Sequence, residues 1–166
     1  MRFKTYSYRF AEQVLNSKLD LRKEIEKAIS STEMDPEKFT RPYFNEVLEK
    51  KFIEFGWERQ PSVFNEPKDP SARIDFLKDR IGIEVEFGHS SFMGIDLLKF
   101  QTLSYSNLDK IDVGVYILVT NDFRKNLCSV YKQKWEGSLT FDKVCRYLPH
   151  FRSAIQVPIF VYGIEE

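Results

Sequence analysis

Residues 113–122, "VGVYILVTND", form an almost unbroken run of apolar, largely β-branched side chains. The run is far too short to cross a bilayer, and it lacks the polar alternation of a strand with one wet face. It therefore predicts a strand buried on both faces, which needs a sheet around it and helices against that sheet. A chain built on such a strand is an α/β protein.

The rest of the pattern supplies the partners. Residues 10–30 have helical spacing, with Asn16 and Ser17 as an interruption. Phe44, Val47, Leu48, Phe52 and Phe55 recur at steps of three and four and predict an amphipathic helix from Tyr43 to Phe55, closed by Gly56. Between these helices "SSTEMDPEKFTRP" is a loop broken by Pro36 and Pro42, and "RQPSVFNEPKDPSA", with Pro61, Pro67 and Pro70, is a long surface loop. "ARIDFL" and "IGIEVEF" then alternate as strands, with "KDR" as the hairpin turn. Further helices are predicted over residues 95–108 and within 139–154, and "VPIFVYGI" closes the chain as a strand. The order is helix, helix, hairpin, helix, central strand, helix, strand. It packs as a mixed β-sheet flanked by helices.

Composition narrows the class. At 166 residues, 42% hydrophobic and 30% charged, the chain reads as one domain, 1–166, with its core over about 43–165 and a helical segment at 10–30. Lys and Arg total 25, as do Asp and Glu, which excludes a histone-like binder with an overall basic surface but leaves room for a local basic cleft. Cys128 and Cys145 have no metal-ligand spacing, so a structural zinc site and a disulfide framework are excluded and free thiols in a reducing compartment are expected. The opening "MRFKTYSYRF" lacks a signal-peptide core and no apolar stretch nears the ~20 residues of a membrane span. A cytoplasmic protein without membrane contact is the expectation.

The chemistry is concentrated in the hairpin. Glu84 and Glu86 share one strand face, ~7 Å apart, opposite Ile81, Ile83, Val85 and Phe87. With the turn at 78–80, Asp75 on the preceding strand comes beside Glu84. Two carboxylates at ~4 Å repel by about 4 kcal/mol at an effective dielectric of about 20, a cost a divalent cation would reverse. Hard cations such as Mg²⁺ take one or two carboxylates plus waters and substrate phosphates.

Asp75 followed by Glu84-Val85-Glu86 resembles the D…(D/E)xK signature of the PD-(D/E)XK nucleases, in a variant whose last residue is not lysine. Ile74 stands where the eponymous proline would be. The longer stretch "EVEFGHSSFMGIDLLKFQ" (84–101) is similar to the BglII-type restriction endonucleases, a branch close to BamHI, with Glu-x-Gln or Glu-x-Glu in place of Glu-x-Lys.

The resemblance implies a restriction-endonuclease-like fold and a Mg²⁺-dependent DNA endonuclease, with Mn²⁺ as a substitute ion. It implies Asp75 and Glu84 as metal ligands, with the Val85 carbonyl as a third. Glu86 would orient or deprotonate the attacking water. Lys99 on the following helix could supply the missing positive charge. The family also places a polar residue on the helix before the hairpin. At about 100° per residue Glu46 falls opposite the apolar stripe and Asn45 flanks it, so Asn45 is the candidate. His89, Ser90 and Ser91 follow the catalytic strand as candidate contacts to phosphate or base. Gln101 and Tyr105 echo a QxxxY element of some relatives. Lys50–Lys51, Arg124–Lys125 and Lys132/Lys134 are candidates for a phosphate-contacting rim. The implied partner is double-stranded DNA, cut by a homodimer. The competing expectation is a nuclease-fold module that binds nucleic acid without cleaving it, because a glutamate cannot offer the charge of lysine.

Overall fold

The computed structural model describes residues 1–33, 35, 37, 39–64 and 72–165. At its centre lies β5 (Val113–Val119), with all seven residues buried. Two parallel neighbours flank it, β4 (Ile81–Val85) and β6 (Ile159–Glu165). β6 pairs antiparallel with β1 (Arg2–Tyr8), β4 with β3 (Phe76–Lys78), and β3 with the short β2 (Glu58–Arg59). The six-stranded sheet has the order β1-β6-β5-β4-β3-β2 and is mixed, as the sequence predicts.

Parallel neighbours need crossover connections, and helices supply them. α4 (Met93–Tyr105) links β4 to β5, and α5 (Asn121–Ser129) and α6 (Phe141–Tyr147) lie between β5 and β6. α1 (Ala11–Asn16), α2 (Leu19–Ser30) and α3 (Arg41–Glu54) precede the hairpin. Alternation along β5 divides the core in two. Val113, Val115, Ile117 and Val119 pack with residues of α1, α2, α3 and α5, while Tyr116 and Leu118 pack with residues of α4 and α6.

Two local features position the hairpin and the helix after it. The turn residues Asp79 and Arg80 both have positive φ, at 43° and 68°, as a two-residue hairpin turn matched to strand twist requires. α4 approaches β5 closely at Gly114, where a Cβ would stand 2.7 Å from the Phe100 ring. No larger residue fits there without moving α4 away from the sheet.

The structure adds elements that periodicity alone did not reveal. Residues 2–8 form edge strand β1, whose exposed Arg2, Lys4 and Thr5 break any clean alternation. The predicted strand 113–122 stops at Val119, because the Thr120 hydroxyl caps α5 by accepting the Phe123 N–H at 3.2 Å. Asn121 and Asp122 are thus helical rather than extended. The break at Asn16–Ser17 falls between α1 and α2. The predicted loop 59–72 begins in β2, and its Pro67 and Pro70, like Pro36 upstream, lie outside the described residues.

Candidate active site

Asp75 immediately precedes β3, and the pairing of Phe76 with Ile83 brings it opposite Glu84. Its carboxylate accepts the Val85 N–H at 2.8 Å. Glu84, only 4% exposed, accepts from the Lys99 ammonium at 2.9 Å. Lys99 also donates to Asp96, one helical turn earlier on α4, at 3.2 Å. Asp96 is 3% exposed, and its second oxygen accepts the Tyr116 hydroxyl at 2.7 Å. Tyr116 is in turn the ladder partner of Glu84 across β4 and β5. One continuous chain of contacts therefore runs from Val85 through Asp75, Glu84, Lys99 and Asp96 to Tyr116.

Glu86 lies just past the end of β4 and is half-buried, with its carboxylate accepting the Gly88 N–H. Burial raises its carboxyl pKa to about 7, and the charge of Asp96 adds to the effect. Burial, followed by the charges of Asp75 and Asp96, pushes Glu84 well above the usual carboxylate range. Asp75 is raised by burial as well, against the pull of its hydrogen bonds to Val85 and Glu84. For Lys99 burial favours loss of the proton, but the charges and hydrogen bonds of Glu84 and Asp96 prevail and hold it above its ordinary value. A single ammonium does not neutralise this set of carboxylates.

Asp75 also borders a cleft of about 170 Å³, lined by Asn45, Leu48, Glu49, Gln60, Asp75, Phe76 and Val85. Asn45 thus shares a cavity with Asp75, whereas Glu46 is ion-paired with Lys50 at 2.7 Å and does not line it. Glu49 lines the same cleft, paired with Arg59 at 2.7 Å, and sequence reasoning passed over it. The signal was available: Glu49 is four residues beyond Asn45 and so shares its helix face. Asp96, within the stretch 84–101, is a further residue that sequence reasoning missed, because nothing in its spacing signals its burial beside Lys99 and Tyr116.

His89, Ser90 and Ser91 do not join the carboxylates. His89 caps a short 3-10 turn, Ser90–Phe92, its Nδ1 accepting the Ser91 N–H at 3.2 Å and lying 3.0 Å from the Ser91 hydroxyl. Backbone bonds from Ser90 to Gly137 and from Leu139 to Gly88 tie this segment to the stretch before α6. Ser90 lines a separate cavity of about 220 Å³ whose wall includes Asn121, Arg124, Lys143 and Arg146. A neighbouring cavity of about 240 Å³ shares Arg124 and adds Lys125 and Lys134. Three residues of the predicted basic rim thus converge here, joined by Lys143 and Arg146. Gln101 serves the fold instead, accepting the N–H groups of Gln156 and Val157 ahead of β6. Tyr105 is exposed.

Among the described residues no group of three His, Cys, Asp or Glu side chains forms a ready-made metal cage. Magnesium does not require one, since one or two carboxylates with water and phosphate suffice. The paired Asp75 and Glu84 carboxylates, with more negative charge around them than Lys99 offsets, are a donor set that fits such an ion. No helix among the described residues is long and apolar enough to cross a membrane.

This fold is that of a restriction endonuclease. The structure of BglII endonuclease bound to a DNA 16-mer superposes with a TM-score of 0.80 over 100% of this chain and 77% of that one, at 19% identity. Free BglII gives a TM-score of 0.70 over 100% and 80% of the two chains, at 20% identity. The model of the restriction endonuclease BglII/BglIII family matches residues 3–164, and the chain belongs to that family. Among curated proteins none matches.

Proposed function

We propose that this chain is a metal-dependent DNA endonuclease of the type II restriction class, hydrolysing phosphodiester bonds in double-stranded DNA. The observation that carries the proposal is the pairing of Asp75 with Glu84 by the hairpin, at the rim of the Asn45 cleft and with the half-buried Glu86 two residues on. Asp75, Glu84 and the Val85 carbonyl would hold Mg²⁺, or Mn²⁺ in its place. Bound there, the ion supplies Lewis-acid stabilisation of the charge that develops on the phosphate.

The remaining steps belong to the side chains. Water attacks phosphorus, one P–O ester bond breaks, Glu86 takes the proton that the water gives up, and the departing ester oxygen is protonated by solvent water. In the metal-free protein burial raises that carboxyl to about 7, which makes it a stronger proton acceptor than an ordinary carboxylate. Asn45 orients groups in the cleft through its amide, and Lys99 keeps positive charge beside Glu84. His89, Ser90 and Ser91 lead from the catalytic strand toward the basic cavities, where Arg124, Lys143 and Arg146 meet the DNA backbone. A homodimer would match the two-fold symmetry of a palindromic site.

The alternative is a module that binds DNA without cutting it, and the tie between Glu86 and the Gly88 N–H favours it, since one oxygen of that carboxylate is already engaged by the backbone. Incubation of supercoiled plasmid with Mg²⁺ or Mn²⁺ separates the two. The nuclease reading expects nicking by the wild type and its loss in Asp75→Ala and Glu84→Ala. Binding to DNA with no cleavage under either metal would favour the alternative.

A further inference from the structure

Lys99 is largely withdrawn from solvent, its side chain only 16% exposed. Its ammonium is lodged between two almost fully buried carboxylates, 2.9 Å from Glu84 and 3.2 Å from Asp96. Asp96 has no freedom to follow Glu84, because Tyr116 holds its other oxygen at 2.7 Å. The positive charge of Lys99 acts on Glu84 through direct contact and also favours the ionised forms of Asp75 and Glu86. Lys99 also lines an apolar cavity of about 400 Å³, together with Val63, Ile95, Leu98 and Thr102 among others.

From this geometry we infer that Lys99 is a resident counter-ion which occupies the acidic centre without metal and yields Glu84 when a divalent cation enters, with Asp96 as the positioning residue that keeps its ammonium at hand. The inference rests on the proposed metal seat at Asp75 and Glu84. The reasoning is electrostatic. A buried carboxylate pair without a cation would be destabilised by its own repulsion, and Lys99 relieves that repulsion through Glu84. A divalent ion binding the same oxygens must displace the ammonium from Glu84 and overcome its repulsion. The second partner matters here: at Asp96, three residues before it on α4, Lys99 remains charged and close after displacement. Metal affinity is thereby weakened in the resting protein, and a positive charge is left beside the site once the metal is in place.

Calorimetric titration of Mn²⁺ into the DNA-free protein tests this. Lys99→Met removes the competitor and should tighten Mn²⁺ binding by roughly ten-fold or more, the equivalent of about 1.4 kcal/mol. Lys99→Arg keeps the charge and should retain wild-type affinity. Asp75→Asn placed on the Lys99→Met background should abolish binding. Equal affinity in the wild type and Lys99→Met, or weaker binding in the variant as expected of a simple structural brace, overturns the inference and leaves the metal seat standing. If no protein binds Mn²⁺, or if Asp75→Asn leaves binding intact, the inference and the metal seat fall together. Should Lys99→Met not fold, the wild type suffices: Mg²⁺ titration followed by lysine side-chain NMR should shift the Lys99 resonance with saturation. A resonance unmoved at saturating Mg²⁺ overturns the inference.

Discussion

The Tyr116 hydroxyl donates to the Asp96 carboxylate at 2.7 Å, with both residues sealed from solvent. Tyr116→Phe removes the donor and keeps the ring, leaving a buried carboxylate oxygen short of a partner. The expected loss is about 1–3 kcal/mol of folding stability, measured by urea denaturation. A change below about 0.5 kcal/mol would mean that Asp96 finds another donor or that the bond has little net worth.

Glu86 gives the metal-free protein a pH dependence opposite to that of most carboxylates. Its folded pKa of about 7 lies above the ordinary value of 4.5. Between these values the unfolded chain has released the proton while the folded chain keeps it, so stability present below pH 4.5 is lost as pH rises through about 7. The loss is roughly 2 kcal/mol once solvent screening of a half-buried group is allowed for. Thermal melts from pH 4.5 to 7.5 should show a shallower decline for Glu86→Gln than for the wild type. Parallel curves would show that Glu86 titrates normally.

Helix α3 offers two adjacent residues as a paired control. Asn45→Ala should lower plasmid nicking by on the order of 10², the cost expected when a positioning group is lost. Glu46→Ala, which breaks only the exposed pair with Lys50, should leave nicking unchanged. The opposite ranking would reassign the polar residue of this helix.

Arg124→Ala and Lys143→Ala address the basic cavities. If each contacts one phosphate, each should weaken binding to any duplex sequence and flatten the dependence of log K on log salt by about 0.9. Filter binding across a salt series would give the slope. An unchanged slope would remove these residues from the DNA interface.

How legible each feature was in the sequence follows from where its determinants lie. β5 could be read because burial on both faces leaves almost no position for a polar residue. The hairpin could be read because one face alternates apolar and the other collects carboxylates. β1 was obscured because its edge position exposes Arg2, Lys4 and Thr5, so its pairing with β6 does the work that patterning does elsewhere. α5 was hidden by an apolar strand running directly into its Thr120 cap. In the site, Asp75 and Glu84 are reached through the hairpin register together with the resemblance to the nucleases, and Asn45 through that resemblance and its place on the helix. Asp96 is not, because its partner Tyr116 is twenty residues away and on another element.

The two-residue turn at Asp79 and Arg80 has a consequence for how such sites diverge. Asp75 meets Glu84 only because the strands between them count out to that register, and side chains alternate faces at every residue. A slip of one residue in the pairing would send Asp75 to the opposite face and disassemble the centre, although every carboxylate would still be encoded. The site is therefore specified by a register as well as by letters. A homologue that keeps the Asp and both glutamates but pairs these strands one residue out of register has lost the arrangement, and an alignment of letters alone would hide the loss.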